Sequence, residues 1–177
     1  MTKENKKSTE SDVGDFFKTL FWSFAVFFVT ATFIVRPVQV QGTAMFPTLQ
    51  PGSVGFSNTI GYRISGAERF DIVILRLDEP KEYLVKRLIG LPGETVEYKE
   101  GKLYINGTVT EEPFLAEGIV TDDIPAFTLK DNEYFCLGDN RPVSKDSRYY
   151  GPFKQSQVSG KGILILYPFQ YFGVVNW

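Results

Sequence analysis

The sequence predicts a mainly β protein, a body of short, largely antiparallel strands behind one amino-terminal transmembrane helix. Three observations predict it. One apolar run fills residues 16–35. From residue 38 onward, short runs of Val, Ile, Leu and aromatic residues alternate with turn formers. No convincing helical period is visible outside the apolar run. With 177 residues, 43% of them apolar, the chain has room for one domain plus an appendage and enough material for a real core.

Taken in order, residues 1–15 are polar and mixed in charge and read as a disordered cytoplasmic tail. Residues 16–36 read as the transmembrane helix. Leu20 to Val35 carries no charge, and about twenty helical residues rise about 30 Å, the thickness of the hydrocarbon core, with Lys18 snorkelling to the interface. Trp22 and the phenylalanines suit that setting, and Arg36-Pro37 is expected to end the span. Lys3, Lys6, Lys7 and Lys18 lie before or at its entrance, whereas Arg36 stands alone after it until Arg63. The positive-inside rule therefore puts the amino terminus in the cytoplasm and the body outside, a single-pass protein of the cell membrane. Two other readings fit less well. Gly42-Thr43-Ala44 would be a small-x-small cleavage site of a signal peptide, but it lies well past the apolar run. A buried amphipathic helix would not be apolar on all faces.

The body, residues 37–177, reads as strands at Val38–Gln41, Ser53–Ser57, Phe70–Leu75, Tyr83–Ile89, Tyr134–Leu137 and Gly162–Tyr167. Val96–Tyr98, Leu103–Ile105 and Val109, separated by Glu100-Gly101 and Asn106-Gly107, form a meander signature. Residues 111–132 are acidic and turn-rich and are not assigned to an element.

Composition narrows the chemistry. The chain has 19 basic and 21 acidic side chains, net charge -2, which argues against a nucleic-acid partner. It has no histidine, which removes Ser-His-Asp and Cys-His catalysis and every His-ligated metal site. The single Cys136 can form no internal disulfide. Acid–base chemistry near neutral pH then falls to a carboxylate, a tyrosine or a lysine with a shifted pKa.

Three clusters could carry such chemistry. Gln41–Leu49 contains Gly42 and Pro47, which imply a fixed bend. In Tyr83–Gly93, strand alternation places Val85, Arg87 and Ile89 on one face and Leu84, Lys86 and Leu88 on the other. Lys86 among leucines either snorkels to water or is desolvated, and a desolvated amine can act as a neutral base. Gly138–Gly151 is dense in turn formers and could be no more than a long loop held by an Asp146–Arg148 or Asp139–Arg141 pair.

In order and spacing these clusters resemble the type I signal peptidases, membrane-anchored Ser-Lys proteases. The first family box matches at Gly42, Met45, Pro47, Thr48 and Leu49. The lysine box matches at Lys86 through Gly93, and the third box at Gly138, Asp139, Asn140, Arg141, Ser144, Asp146, Ser147, Arg148 and Gly151. The likeness spans roughly residues 20–170 and points to the compact Gram-positive type. It implies a signal-peptidase-like β domain that cleaves signal peptides from exported preproteins after a small-x-small site, near the secretion translocon, with no metal or cofactor.

The resemblance also implies the roles. Position 44 would hold the nucleophilic serine and supply the oxyanion donor from its backbone N–H. Lys86 would be the general base, and Ser144 would orient it. Met45, Pro47, Asp139, Asn140, Arg141, Asp146 and Arg148 would be structural neighbours. One departure matters most: position 44 is Ala44, whose methyl group cannot attack a carbonyl, so the chain is expected to be inactive as written. Thr43 is a poor substitute if the segment is extended, since neighbouring side chains then face opposite ways. Ala44 is either an engineered substitution or the mark of a natural non-catalytic relative that binds or presents secreted or pilus-type substrates. A self-cleaving Ser-Lys repressor shares the catalytic logic but would not carry a membrane span or lack a basic DNA-binding segment. Met45, Phe46, Phe169, Tyr171, Phe172 and Trp177 are candidates for an apolar membrane-facing rim, the aromatic group serving equally well as core.

Overall fold

The computed structural model describes residues 4–79 and 81–175, without the side chains of residues 4–12 and 29–35. The chain divides into two compact units, Met1–Val35 and Arg36–Trp177.

The first unit is one helix, α1 (Glu4–Ile34). It begins inside the segment expected to be a disordered tail. It also stops before Arg36-Pro37, because those residues are already extended in β1 (Val35–Gln39). Where its side chains are described, the apolar ones are exposed, among them Phe16, Leu20, Trp22 and Phe24. Among the described residues no helix is long and apolar enough to cross a membrane. The side chains of the far end of the expected span, residues 29–35, lie outside the description.

The second unit holds the remaining strands. In chain order they are β2 (Val54–Asn58), β3 (Ile72–Arg76), β4 (Tyr83–Gly90), β5 (Thr95–Lys99), β6 (Lys102–Ile105), β7 (Thr108–Thr110), β8 (Ile124–Thr128), β9 (Glu133–Leu137), β10 (Phe153–Lys154), β11 (Val158–Tyr167) and β12 (Gly173–Val175). An eight-stranded sheet runs β1-β2-β11-β3-β4-β9-β10, with β12 also paired to β11. A four-stranded sheet runs β7-β6-β5-β8. The fold is mainly β, and the pairs whose register is given are antiparallel.

Residue types explain the layers. β3 reads Ile-Val-Ile-Leu without alternation because both its faces are covered. Ile72 and Ile74 join a cluster with Leu49, Ile163 and Ile165, whereas Val73 and Leu75 join one with Leu88, Cys136 and Phe153. A third cluster, Ile89, Val96, Leu103, Phe135 and Leu137, ties the two sheets together. The β5–β6 and β6–β7 turns place Glu100-Gly101 and Asn106-Gly107 at positive φ, the pairing that closes a tight hairpin with the right twist.

Two short helices interrupt the strands where none was expected. α2 (Thr59–Ser65) is capped by Asn58, whose side chain accepts from the Gly61 amide at 2.6 Å. α3 (Ser147–Tyr150) is capped by Asp146. Both are too short to show a period. The unassigned stretch 111–132 contributes β8 to the smaller sheet.

Candidate active site

Strand β4 lies in the middle of the large sheet, with Lys86 opposite Val73 of β3 and Arg87 opposite Leu137 of β9. Both side chains are buried, Lys86 3% and Arg87 0% exposed. The expected alternation holds, and the lysine does not snorkel out. Its Nζ donates to Ser144 Oγ at 3.2 Å. Burial pulls the Lys86 pKa down, and nearby Arg148 adds to that. Asp146 and Asp139 oppose it without reversing it.

Lys86 and Ala44 line one cleft of about 570 Å³, walled in part by Val38, Val40, Ile74 and Leu84. The segment carrying Ala44 is a turn rather than extended chain, with Phe46 N–H donating to the Thr43 carbonyl and Leu49 N–H to that of Met45. The alternation argument against Thr43 thus does not apply, because these residues are not a strand. The third cluster grips this turn: the Asn140 amide donates to the Ala44 carbonyl at 3.0 Å, and Asn140 Nδ2 to the Thr43 carbonyl at 3.1 Å. Packing is close enough that a Cβ on Gly138 would collide with Ser144 Oγ and the Ala44 carbonyl oxygen. Met45 is buried in the core beneath the turn, 2% exposed, and so is not part of a rim.

Two buried ion pairs hold the surroundings. Asp139 accepts two hydrogen bonds from Arg87, at 2.8 and 2.6 Å, and one from the Thr48 hydroxyl at 2.6 Å. Arg141 instead donates to Glu112 at 2.6 Å and to the Gly138 carbonyl, and it also bonds the Thr121 hydroxyl. The Asp139–Arg141 pair considered from sequence is thus replaced by two separate pairs. The Asp146–Arg148 pair forms as expected, at 2.9 and 2.8 Å. Burial pushes the Asp146 carboxyl up. Bonds from Arg148, the Gly138 amide and the Ser144 hydroxyl outweigh that and hold it below its usual range.

Glu112 and Thr121 are site-supporting residues that the sequence does not mark, and it places Arg87 on its strand and in the lysine box without a partner. Arg87 carried a signal, since an arginine between Val85 and Ile89 on a central strand must find an acid. Glu112 carried none beyond its acidic stretch. Thr48, a hydroxyl near position 44, is occupied by Asp139.

The chain agrees with known proteins along nearly its whole length. Residues 13–167 match the family described as signal peptidase, peptidase S26. The chain belongs to this family. Among signal peptidases, it is 36% identical to signal peptidase IB of Staphylococcus aureus strain Mu50 over 85% of this chain and 87% of that protein. It is also 36% identical to signal peptidase I S of Bacillus subtilis strain 168, over 98% of this chain and 100% of that one. A crystal structure of a signal peptidase I from Enterococcus faecalis V583 aligns at TM-score 0.48 and 40% identity, covering 53% of this chain and 94% of the other.

Proposed function

We propose that this chain has the body of a type I signal peptidase, built to cleave signal peptides from exported preproteins after a small-x-small site by a Ser-Lys dyad, and that Ala44 disables it. The observation that carries this reading is a buried lysine amine, 3.2 Å from Ser144, in the same cleft as Ala44. A serine at position 44 would attack the scissile carbonyl. Neutral Lys86 would take its proton and return it to the leaving amine, Ser144 would aim the amine, and the backbone N–H of residue 44 would hold the oxyanion. Asp139, Asn140, Arg141, Asp146 and Arg148 act on the site through position, by the hydrogen bonds described above. Val38, Val40 and Leu84 supply apolar walls for the substrate's side chains.

The same reading assigns α1 to a membrane. A helix with exposed apolar side chains needs apolar surroundings, and a bilayer provides them. The body then lies outside the cytoplasm. Phe169, Phe172 and Val174, 80%, 65% and 64% exposed, are too open to be core and suit a membrane-facing rim together with Phe46. Trp177 lies outside the described residues.

The test is Ala44→Ser. The variant should cleave a preprotein after its small-x-small site, whereas the parent chain binds but does not cut it. Loss of a nucleophile elsewhere costs on the order of a million-fold in turnover. A folded, inactive Ala44→Ser protein would contradict the enzyme reading and favour a natural binding protein.

A further inference from the structure

A second cavity, of about 280 Å³, opens between α2, the end of β3 and the start of β11. Three arginines line it: Arg36 in β1, Arg63 in the last turn of α2 and Arg76 at the end of β3. Its lining among the described residues includes no carboxylate. Partial neutralisation comes from Asp78, 3.6 Å from Arg76, in a pair whose side chains are 55% and 74% exposed and therefore weakly coupled.

The walls are tied in place. The Tyr62 hydroxyl donates to the Gln155 carbonyl at 3.0 Å, and Gln157 Nε2 donates to the Arg76 carbonyl at 3.3 Å. The cavity is therefore formed before anything enters it.

We propose that this cavity binds a phosphate group, with Arg36, Arg63 and Arg76 as its charge partners. Guanidinium groups match phosphate oxygens in both charge and fork geometry, and a cavity lined by three of them without an acid selects an anion. The phosphate can belong to an anionic phospholipid headgroup or be free in solution. The assignment does not depend on the peptidase reading, since no catalytic residue takes part.

The experiment uses the full chain in neutral detergent at low ionic strength. Binding of inorganic phosphate and of dihexanoyl phosphatidylglycerol is followed separately by phosphorus NMR. At least one ligand should bind, and added salt should weaken it. The Arg63→Gln/Arg76→Gln double variant should bind about tenfold more weakly or worse. Binding of both ligands supports a site for phosphate as such, and binding of phosphatidylglycerol alone supports a headgroup site. The proposal is overturned if neither ligand binds, or if the double variant binds as well as the parent chain.

Discussion

Lys86 is a cation-forming side chain placed where its cation is disfavoured. Its folded pKa lies below 10.5, so the unfolded chain binds more protons than the folded one between those two values. Stability therefore rises with pH across that window, and the penalty is fully present below the folded pKa. Lys86→Met should raise the melting temperature at neutral pH, by stability on the order of 1 kcal/mol. The gain should shrink as pH approaches 10.5. Thermal melts of both proteins over a pH series would show it, and a constant difference would contradict the sign. Asp139 presents the opposite case, a buried anion satisfied by Arg87 and Thr48. Asp139→Ala leaves the Arg87 charge buried without its partner and should cost about 3–5 kcal/mol in denaturant unfolding. A loss under about 1 kcal/mol would mean that the pair is only a surface-like contact.

Among the elements, most strands were legible because their signals are local, whereas β8, β10 and β12 were not. Asn106-Gly107 and Glu100-Gly101 mark their hairpins as turn pairs that adopt positive φ, and the apolar run Phe70–Leu75 marks the strand that forms at Ile72–Arg76. The place of Lys86 was half legible. Alternation gave its face, but whether the amine reached water depended on Ser144 and the turn at residue 44, both remote in sequence, meeting that face. Short helices were not legible, since α2 and α3 hold only seven and four residues and rest on their caps. Nor were the partners of Arg87 and Arg141, because Asp139 and Glu112 reach them from segments remote in sequence. The cap at α2 can be checked directly. Asn58→Ala removes the acceptor for the Gly61 amide and should destabilise by about 1 kcal/mol in chemical denaturation. No change would mean that packing alone holds the helix.

For the whole molecule, the division into two units makes a separate claim. The three apolar clusters all lie within residues 36–177, so the body carries its own core. A chain lacking residues 1–30 should melt within about 3 °C of the full one and lose most of its association with lipid vesicles. A large fall in melting temperature would show that α1 is part of the fold rather than an attached anchor.

One amine, in the cleft shared with residue 44, decides whether Ser-Lys chemistry is possible here. The most direct measurement is an NMR titration of the Lys86 side chain, with 13C at Cε, in the folded full chain. The midpoint should lie below 10.5 in the folded chain and move up toward it when the chain is unfolded. A midpoint at or above 10.5 in the folded chain would contradict the Ser-Lys reading, because that amine would be a cation at working pH and could not accept the proton of a serine at position 44.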